Sequence, residues 1–216
     1  MTDKDLSERY QALLAVNSQL HEEAIETIPR WAMQQGAKRL GITFSGSTLK
    51  FKTGWEVHLL LQYVLYELPY RDETIISSYL ATISEGDDKD RRAFVKNLKR
   101  SFASLFEITG ISGEQLNLID LLTDGKEYLL VNGGLSKTAH AGMLLFTRLV
   151  PTDEFCMTTG ASMPFLGKEK DTLVRLLSES KAGKGPRETS PVRFRKCFGH
   201  FRTSGEPTDH WVEDKS

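Results

Sequence analysis

The chain has 216 residues, of which 39% are hydrophobic and 26% charged, with a net charge of −1. This length supports one sizeable domain or two small ones, and the near-neutral charge excludes a global field that would attract nucleic acid or anionic membranes. No apolar run approaches the roughly 20 residues that cross a bilayer. The cysteines, Cys156 and Cys197, are too few for a disulfide framework, so the sequence predicts a cytoplasmic protein with reduced thiols.

The first forty residues have apolar side chains at helical spacing. Pro29 should interrupt it, because proline breaks an interior helical hydrogen bond, so we expect a break near Glu26 to Pro29. Residues 42–51 alternate on both sides of a Ser-Gly-Ser turn and predict a short β-hairpin. The two helical stripes before the hairpin consist of Leu6, Tyr10, Leu13 and Leu14, and then of Ile25, Ile28, Trp31 and Ala32.

Three more helices are predicted before the spacing of apolar residues changes from a helical period to a strand period. Thr53 and Glu56 have the spacing of a capping box, which should open a buried helix that runs to about Leu68. Further helices are expected over 72–83 and 89–105. The first 105 residues therefore form a mainly helical region.

The region 106–165 has the alternation and the tight turns of a small β-module. It predicts a five-stranded SH3-like β-barrel or meander. A closing helix over 166–180 and a flexible tail over 181–216, basic and then acidic, complete an α+β fold. The expected strands start near Phe106, Gln115, Glu127, Met143 and Phe155.

Weak catalytic candidates are His58, His140 and Cys156. His58 stands in the apolar helix, where burial would shift the pKa of an imidazole, although a core histidine with one hydrogen-bond partner is the alternative. His140 lies in a glycine-rich loop and would have to reach Cys156 to generate a thiolate. The sequence does not show that proximity, and a plain packed or exposed cysteine is the favoured interpretation of Cys156.

The tail offers a weak metal pattern and a basic run. Cys197, His200 and His210 provide fewer than the four ligands of a closed zinc site. Phenylalanines interleave with the basic residues, a combination that suits phosphate contact with base stacking, whereas a solvated tail is the alternative. The candidate nucleic-acid contacts are Lys184, Arg187, Arg193, Arg195, Lys196 and Arg202.

Several short segments resemble a group of uncharacterised bacterial proteins, over about residues 37–165. The resemblance implies an intracellular protein whose helical part and β-part belong together, and it carries no catalytic residue, since no activity is established for the group. The segments are Ala-Lys-Arg-Leu-Gly-Ile from Ala37, Gly-Ser-Thr-Leu-Lys-Phe from Gly46, Ser-Leu-Phe-Glu from Ser104, Asp-Leu-Leu-Thr from Asp120, Gly-Leu-Ser-Lys-Thr-Ala from Gly134 and Phe-Cys-Met-Thr-Thr-Gly-Ala-Ser-Met-Pro from Phe155.

Three functions stay open at this point. A non-enzymatic binding or adaptor protein, which presents the β-module and the adjoining helices to a protein or peptide, is favoured because no nucleotide loop, paired metal motif or catalytic signature is found. The alternatives are a hydrolase with a site assembled from separated residues, and a nucleic-acid-associated protein that acts through the tail. No cofactor and no membrane partner is expected, and a homodimer is left open.

Overall fold

Helices fill the first half of the chain, in a computed structural model that describes residues 3–45, 48–84, 88–123, 125–178 and 190–204. Pro29 is the N-cap of the second helix, so the predicted break is confirmed. The predicted hairpin is also present, as β1 and β2. The elements of this half are α1 (Asp3–Glu26), α2 (Arg30–Leu40), β1 (Thr43–Ser45), β2 (Thr48–Lys50), α3 (Trp55–Tyr66), β3 (Pro69–Tyr70), β4 (Glu73–Thr74), α4 (Ile75–Leu80) and α5 (Lys89–Lys99).

Two helices of this half are shorter than predicted. The helix expected over 72–83 is limited to α4, because the two-residue hairpin of β3 and β4 occupies the chain before it. The helix expected to reach Leu105 ends at Lys99, because Phe102 to Leu105 pair with strand partners such as Phe146 instead. Strand pairing over a long sequence separation has here overridden a local helical period.

The predicted five-stranded β-module is confirmed, and so is the α+β class. Each strand has two neighbours, in the order β5-β6-β7-β9-β8 and back to β5, so the sheet curls into a ring and is not a simple meander. The strand pairing is shortest at the junction of β7 and β9, which share a single parallel pair, Leu130 with Cys156. The strands are β5 (Phe102–Ser112), β6 (Gln115–Asp120), β7 (Glu127–Val131), β8 (Leu144–Pro151) and β9 (Cys156–Phe165), with the short helix α6 (Gly133–Ser136) between β7 and β8.

Apolar side chains fill the interior of the β-module. Cys156 faces this interior, whereas its neighbours Phe155 and Met157 pack on the other side, against the helices. The module is covered on the helical side as well, so both faces of β8 and β9 are buried and alternation alone does not identify the interior. The interior consists of Phe106, Ile108, Leu116, Leu118, Leu130, Met143, Leu145, Leu149 and Cys156.

A second, larger core joins the helices to the outside of β8 and β9. It includes residues of α1, α3 and α5 together with Phe146 and Phe165. Two later helices complete it, α7 (Lys170–Ser178), which follows a 3₁₀ turn at Gly167–Glu169, and α8 (Ser190–Ser204).

The prediction of a flexible tail from residue 181 is wrong where the chain forms the helix α8. Ser190–Ser204 form a helix, and its aromatic residues Phe194 and Phe198 are fully buried. Pro191 stands in the first turn, where a helix tolerates proline. The composition of the segment is polar, but its apolar residues share one face and fill a groove over α7 and β9.

Candidate functional site

The three catalytic candidates do not meet in the structure. His58 is exposed on α3, contrary to the expectation of a buried ring, and its imidazole centroid lies 5.4 Å from that of Trp55. His140 is exposed too, with Nδ1 3.1 Å from its neighbour's carbonyl oxygen, Ala141 O. Cys156 is buried, and that burial raises its thiol pKa to about 11. No hydrogen bond joins any two of these three within the described ranges, and a thiol with this pKa is protonated at neutral pH.

The basic residues of α8 have partners inside the protein. Arg193 Nε donates to Leu177 O at 3.2 Å, and Lys196 Nζ donates to Leu176 O at 3.0 Å. These two cations satisfy carbonyls near the C-terminus of α7, where helix carbonyls lack backbone partners. Arg195 is exposed. Lys184 and Arg187 lie outside the described residues.

Arg202 fastens α8 to the start of α3. Its Nε donates to Glu56 Oε1 at 2.7 Å, and its Nη1 donates to Gly41 O at 2.8 Å. Glu56 is buried, and its other carboxylate oxygen accepts from Lys52 N at 3.0 Å. The predicted capping box is not formed, because Glu56 accepts from Lys52 N rather than from Thr53 N, and the Thr53 hydroxyl finds no partner within the described part of the chain. Arg202 neutralises a buried carboxylate, so its position is explained without any contact to a nucleic-acid phosphate.

The metal candidates are divided between two environments. Cys197 is fully buried, and burial, with a smaller contribution from Glu169, raises its thiol pKa well above the ordinary value. His200 Nε2 lies 2.5 Å from Glu169 Oε2, and its ring packs on Phe165. His210 lies outside the described residues. Across the described ranges, no three His, Cys, Asp or Glu side chains come close enough to hold a metal ion.

A different set of residues forms an exposed aromatic surface on the helical layer. Trp31 is 47% exposed, and its ring stacks on that of Tyr70, with centroids 6.0 Å apart and an interplanar angle of 15°. The guanidinium carbon of Arg71 lies 5.3 Å from the centroid of the Tyr70 ring. We call Trp31, Tyr70 and Arg71 the aromatic surface. Tryptophan, tyrosine and arginine are the residues most enriched at the centres of protein interfaces.

The packing of α2 explains why Trp31 faces outward. The buried side of α2 is made of small residues and ends at Leu40. It approaches α3 so closely that a Cβ at Gly36 would lie 2.4 Å from Val64 Cγ2. Ala32 therefore faces α3, and Trp31, one position earlier, is directed away from it. Trp31 and Ala32 belong to the same predicted apolar stripe, but only Ala32 is buried.

The hairpin of β3 and β4 holds the other half of the aromatic surface. Tyr70 pairs with Glu73, which leaves Arg71 and Asp72 as a two-residue turn. Arg71 has φ 55°, and among the described residues it is the only one other than glycine with a positive φ. Residues other than glycine seldom adopt this conformation, and such strain is concentrated at functional positions. The turn fixes Arg71 beside the ring of Tyr70.

A partly buried polar connection links α1 to α3. His21 Nδ1–H donates to Asn17 O at 2.7 Å, since a carbonyl can only accept, and His21 Nε2 accepts the hydroxyl proton of Tyr66 at 2.6 Å. Both ring nitrogens are thus satisfied when the imidazole is neutral. Burial lowers the pKa of His21 below its ordinary value of 6.5, against a smaller opposite effect of the Asn17 carbonyl.

This arrangement makes stability depend on pH. In the range below pH 6.5 the unfolded chain binds a proton at His21 that the folded protein does not bind, so the free energy of unfolding should fall as the pH drops through this range. Urea unfolding at pH 7.5, 6.5 and 5.5 measures it. His21→Gln keeps a donor and an acceptor but cannot titrate, so it should flatten the dependence, whereas the exposed His58→Gln should not. An equal slope in wild type and His21→Gln would contradict the assignment.

The outside of the β-module carries an open cleft. It has a volume of about 400 Å³ and lies over β5, β6 and β7. Its walls are mostly polar and include Tyr128, and Lys126 Nζ lies 5.0 Å from the centroid of the Tyr128 ring. The lining residues are Thr109, Asn117, Leu118, Glu127, Tyr128 and Leu129.

Comparisons with other proteins place the chain in a family. No described helix has the length and apolar character to span a membrane. No curated protein and no solved structure matches the chain significantly. A family model described as "Family of unknown function (DUF7986)" matches residues 4–210, and therefore includes the N-terminal helices and α8 as well as the segment 37–165 of the resemblance. The chain belongs to this family of unknown function.

Proposed function

We propose that this protein is a non-enzymatic binding protein that docks a partner protein on the aromatic surface of Trp31, Tyr70 and Arg71. The observation that carries the proposal is the half-exposed Trp31, held in a fixed orientation by the ring of Tyr70. An exposed ring that is already ordered loses little conformational entropy on binding. The rest of the surface follows a pattern common to interfaces, with an aromatic centre and a charged margin.

The charges near the aromatic surface favour a protein over a nucleic acid. Arg30 and Arg71 are exposed, and so are the acidic residues Glu26, Asp72 and Glu73. This mixed margin lacks the continuous positive field that gathers phosphates. We expect the partner to offer a flat apolar group to Trp31 and a carboxylate to Arg71.

The two alternative functions have less support. A hydrolase would need His58, His140 and Cys156 to converge, whereas both histidines are exposed and the thiol is buried in the interior of the β-module. A nucleic-acid contact through α8 would need Arg193 and Lys196 to face phosphates, whereas both side chains donate hydrogen bonds to carbonyls of α7. The aromatic surface is therefore the better-supported binding site of the three.

The test starts with a photo-crosslinking amino acid at Gln34, an exposed position one turn along α2 from Trp31. A cross-linked protein is identified by mass spectrometry, purified and titrated against the full chain. Trp31→Ala should weaken its binding about 30-fold, the usual loss for a central tryptophan. The thermal midpoint should change little, because this side chain contributes little to the core.

Phe44 provides the matched control. It is 42% exposed on β1, so its removal also takes away an exposed aromatic ring. Phe44→Ala should leave the affinity for the same partner within about twofold. The proposal is wrong if Trp31→Ala binds as tightly as the wild type, or if Phe44→Ala weakens binding as much.

A further inference from the structure

The backbone of β7 has hydrogen-bonding groups that no strand uses. In the antiparallel pairing of β6 and β7, Asp120 N donates to Lys126 O, and Asn132 N donates to Glu114 O, both at 2.9 Å. Opposite residues alternate between bonded and non-bonded pairs, so Tyr128 and Leu130 direct their N–H and C=O groups toward β6. The groups of Glu127, Leu129 and Val131 must point the other way.

The junction with β9 uses only part of this outward edge. Its single parallel pair joins Leu130 and Cys156, and since Leu130 bonds to β6, the bonds to Cys156 come from its two neighbours. Cys156 N–H donates to Leu129 C=O, and Val131 N–H donates to Cys156 C=O. The N–H and C=O of Glu127 and the N–H of Leu129 have no partner within the described residues.

The side chains beside these groups favour a particular kind of strand. Glu127 is exposed and lines the open cleft with the exposed Asn117, on the outer face of the sheet. Tyr128 is directed to the other face, where its ring packs on Phe102 and Phe106 and remains half-buried. An added strand would therefore meet an acidic position and, one residue along, an apolar one.

A second copy of this chain does not fit the edge. A symmetric antiparallel pair centred on Glu127 would place two carboxylates directly opposite each other, which is destabilising. A pair centred on Tyr128 would place Glu127 opposite Leu129, whose carbonyl already accepts from Cys156. The edge suits a different sequence.

We propose that an extended segment of a partner protein adds to β7 as an extra strand, with a basic side chain opposite Glu127 and apolar side chains on both sides of it. The backbone of the segment would bond to Glu127 and Leu129, and its basic residue would lie in the cleft beside Asn117. Edge strands recruit peptides in this way, with affinity from the main chain and selectivity from alternate side chains. This site is separate from the aromatic surface and does not depend on it.

The experiment uses two dye-labelled, end-blocked pentapeptides, Val-Arg-Val-Arg-Val and Val-Glu-Val-Glu-Val, titrated against the full chain by fluorescence anisotropy. The basic peptide should bind about tenfold more tightly, with amide chemical shifts that move at Glu127 and Leu129. Glu127→Lys should reverse the preference. Glu127→Pro should abolish binding and keep the fold, because the missing N–H is an outward one. Trp31→Ala should change neither affinity.

A basic peptide methylated on alternate backbone nitrogens separates strand addition from plain charge attraction. It keeps the side chains but loses the donors, so its binding should disappear. The proposal is overturned if the methylated peptide binds equally well, if Glu127→Lys leaves the preference unchanged, or if neither peptide binds at concentrations up to about 1 mM.

Discussion

Arg148→Leu should lower the free energy of unfolding by about 3–5 kcal/mol, the usual loss when one member of a buried ion pair is removed. Arg148 in β8 forms an ion pair with Glu67 at the end of α3, and the two side chains are 8% and 1% exposed. Its Nη1 also donates to Ser101 O at 3.0 Å, and its guanidinium lies 4.8 Å from the centroid of the Tyr66 ring. The substitution would leave the Glu67 carboxylate buried without a counter-charge.

Urea denaturation of the single and double variants distinguishes this cause from a simple packing defect. Replacing both residues, in Glu67→Leu with Arg148→Leu, should recover most of the loss, since no buried charge then remains. The control is Lys170→Leu, which breaks a more exposed pair with Glu107 and should cost less than about 1 kcal/mol. A loss below about 1 kcal/mol for Arg148→Leu alone would contradict a buried, stabilising ion pair at this position.

This ion pair also shows which parts of the fold a sequence reveals. The break at Pro29, the first hairpin and the start of β7 at Glu127 were all predictable, because each depends on a proline, a turn or an alternation within a few residues. The contact of Glu67 with Arg148 joins positions far apart in the chain. Neither residue differs locally from an ordinary surface charge, so sequence reasoning had no signal for it.

The aromatic surface was missed for a related reason. Trp31 and Ala32 are adjacent, and hydrophobicity alone assigns the larger residue to the core. The structure selects Ala32, because Gly36 lets α2 approach α3 too closely for a large side chain between them. The spacing of Ala32, Gly36 and Ala37 was the available signal, since small residues on one helical face indicate close packing. The position of Tyr70 beside Trp31 had no local signal at all.

The helix α8 gives the second large effect. Phe194 is fully buried, with its ring centroid 5.4 Å from that of Tyr63 and 6.0 Å from that of Phe146. Phe194→Ala should therefore lower the free energy of unfolding by about 3–5 kcal/mol. A loosely attached tail, which the composition of the segment suggests, would give a value near zero. Chemical denaturation measures the difference.

Arg195→Ala is the matched control, because Arg195 follows Phe194 on the same helix and is exposed. It should change stability by less than about 0.5 kcal/mol. Hydrogen exchange adds an independent readout, since docked α8 amides should open with a free energy close to that of global unfolding, and Phe194→Ala should reduce their protection selectively. A small loss in Phe194→Ala together with fast exchange throughout α8 would mean that the helix is undocked in solution. The cations Arg193 and Lys196 would then be released from the carbonyls of α7, and the nucleic-acid alternative would regain its strongest support.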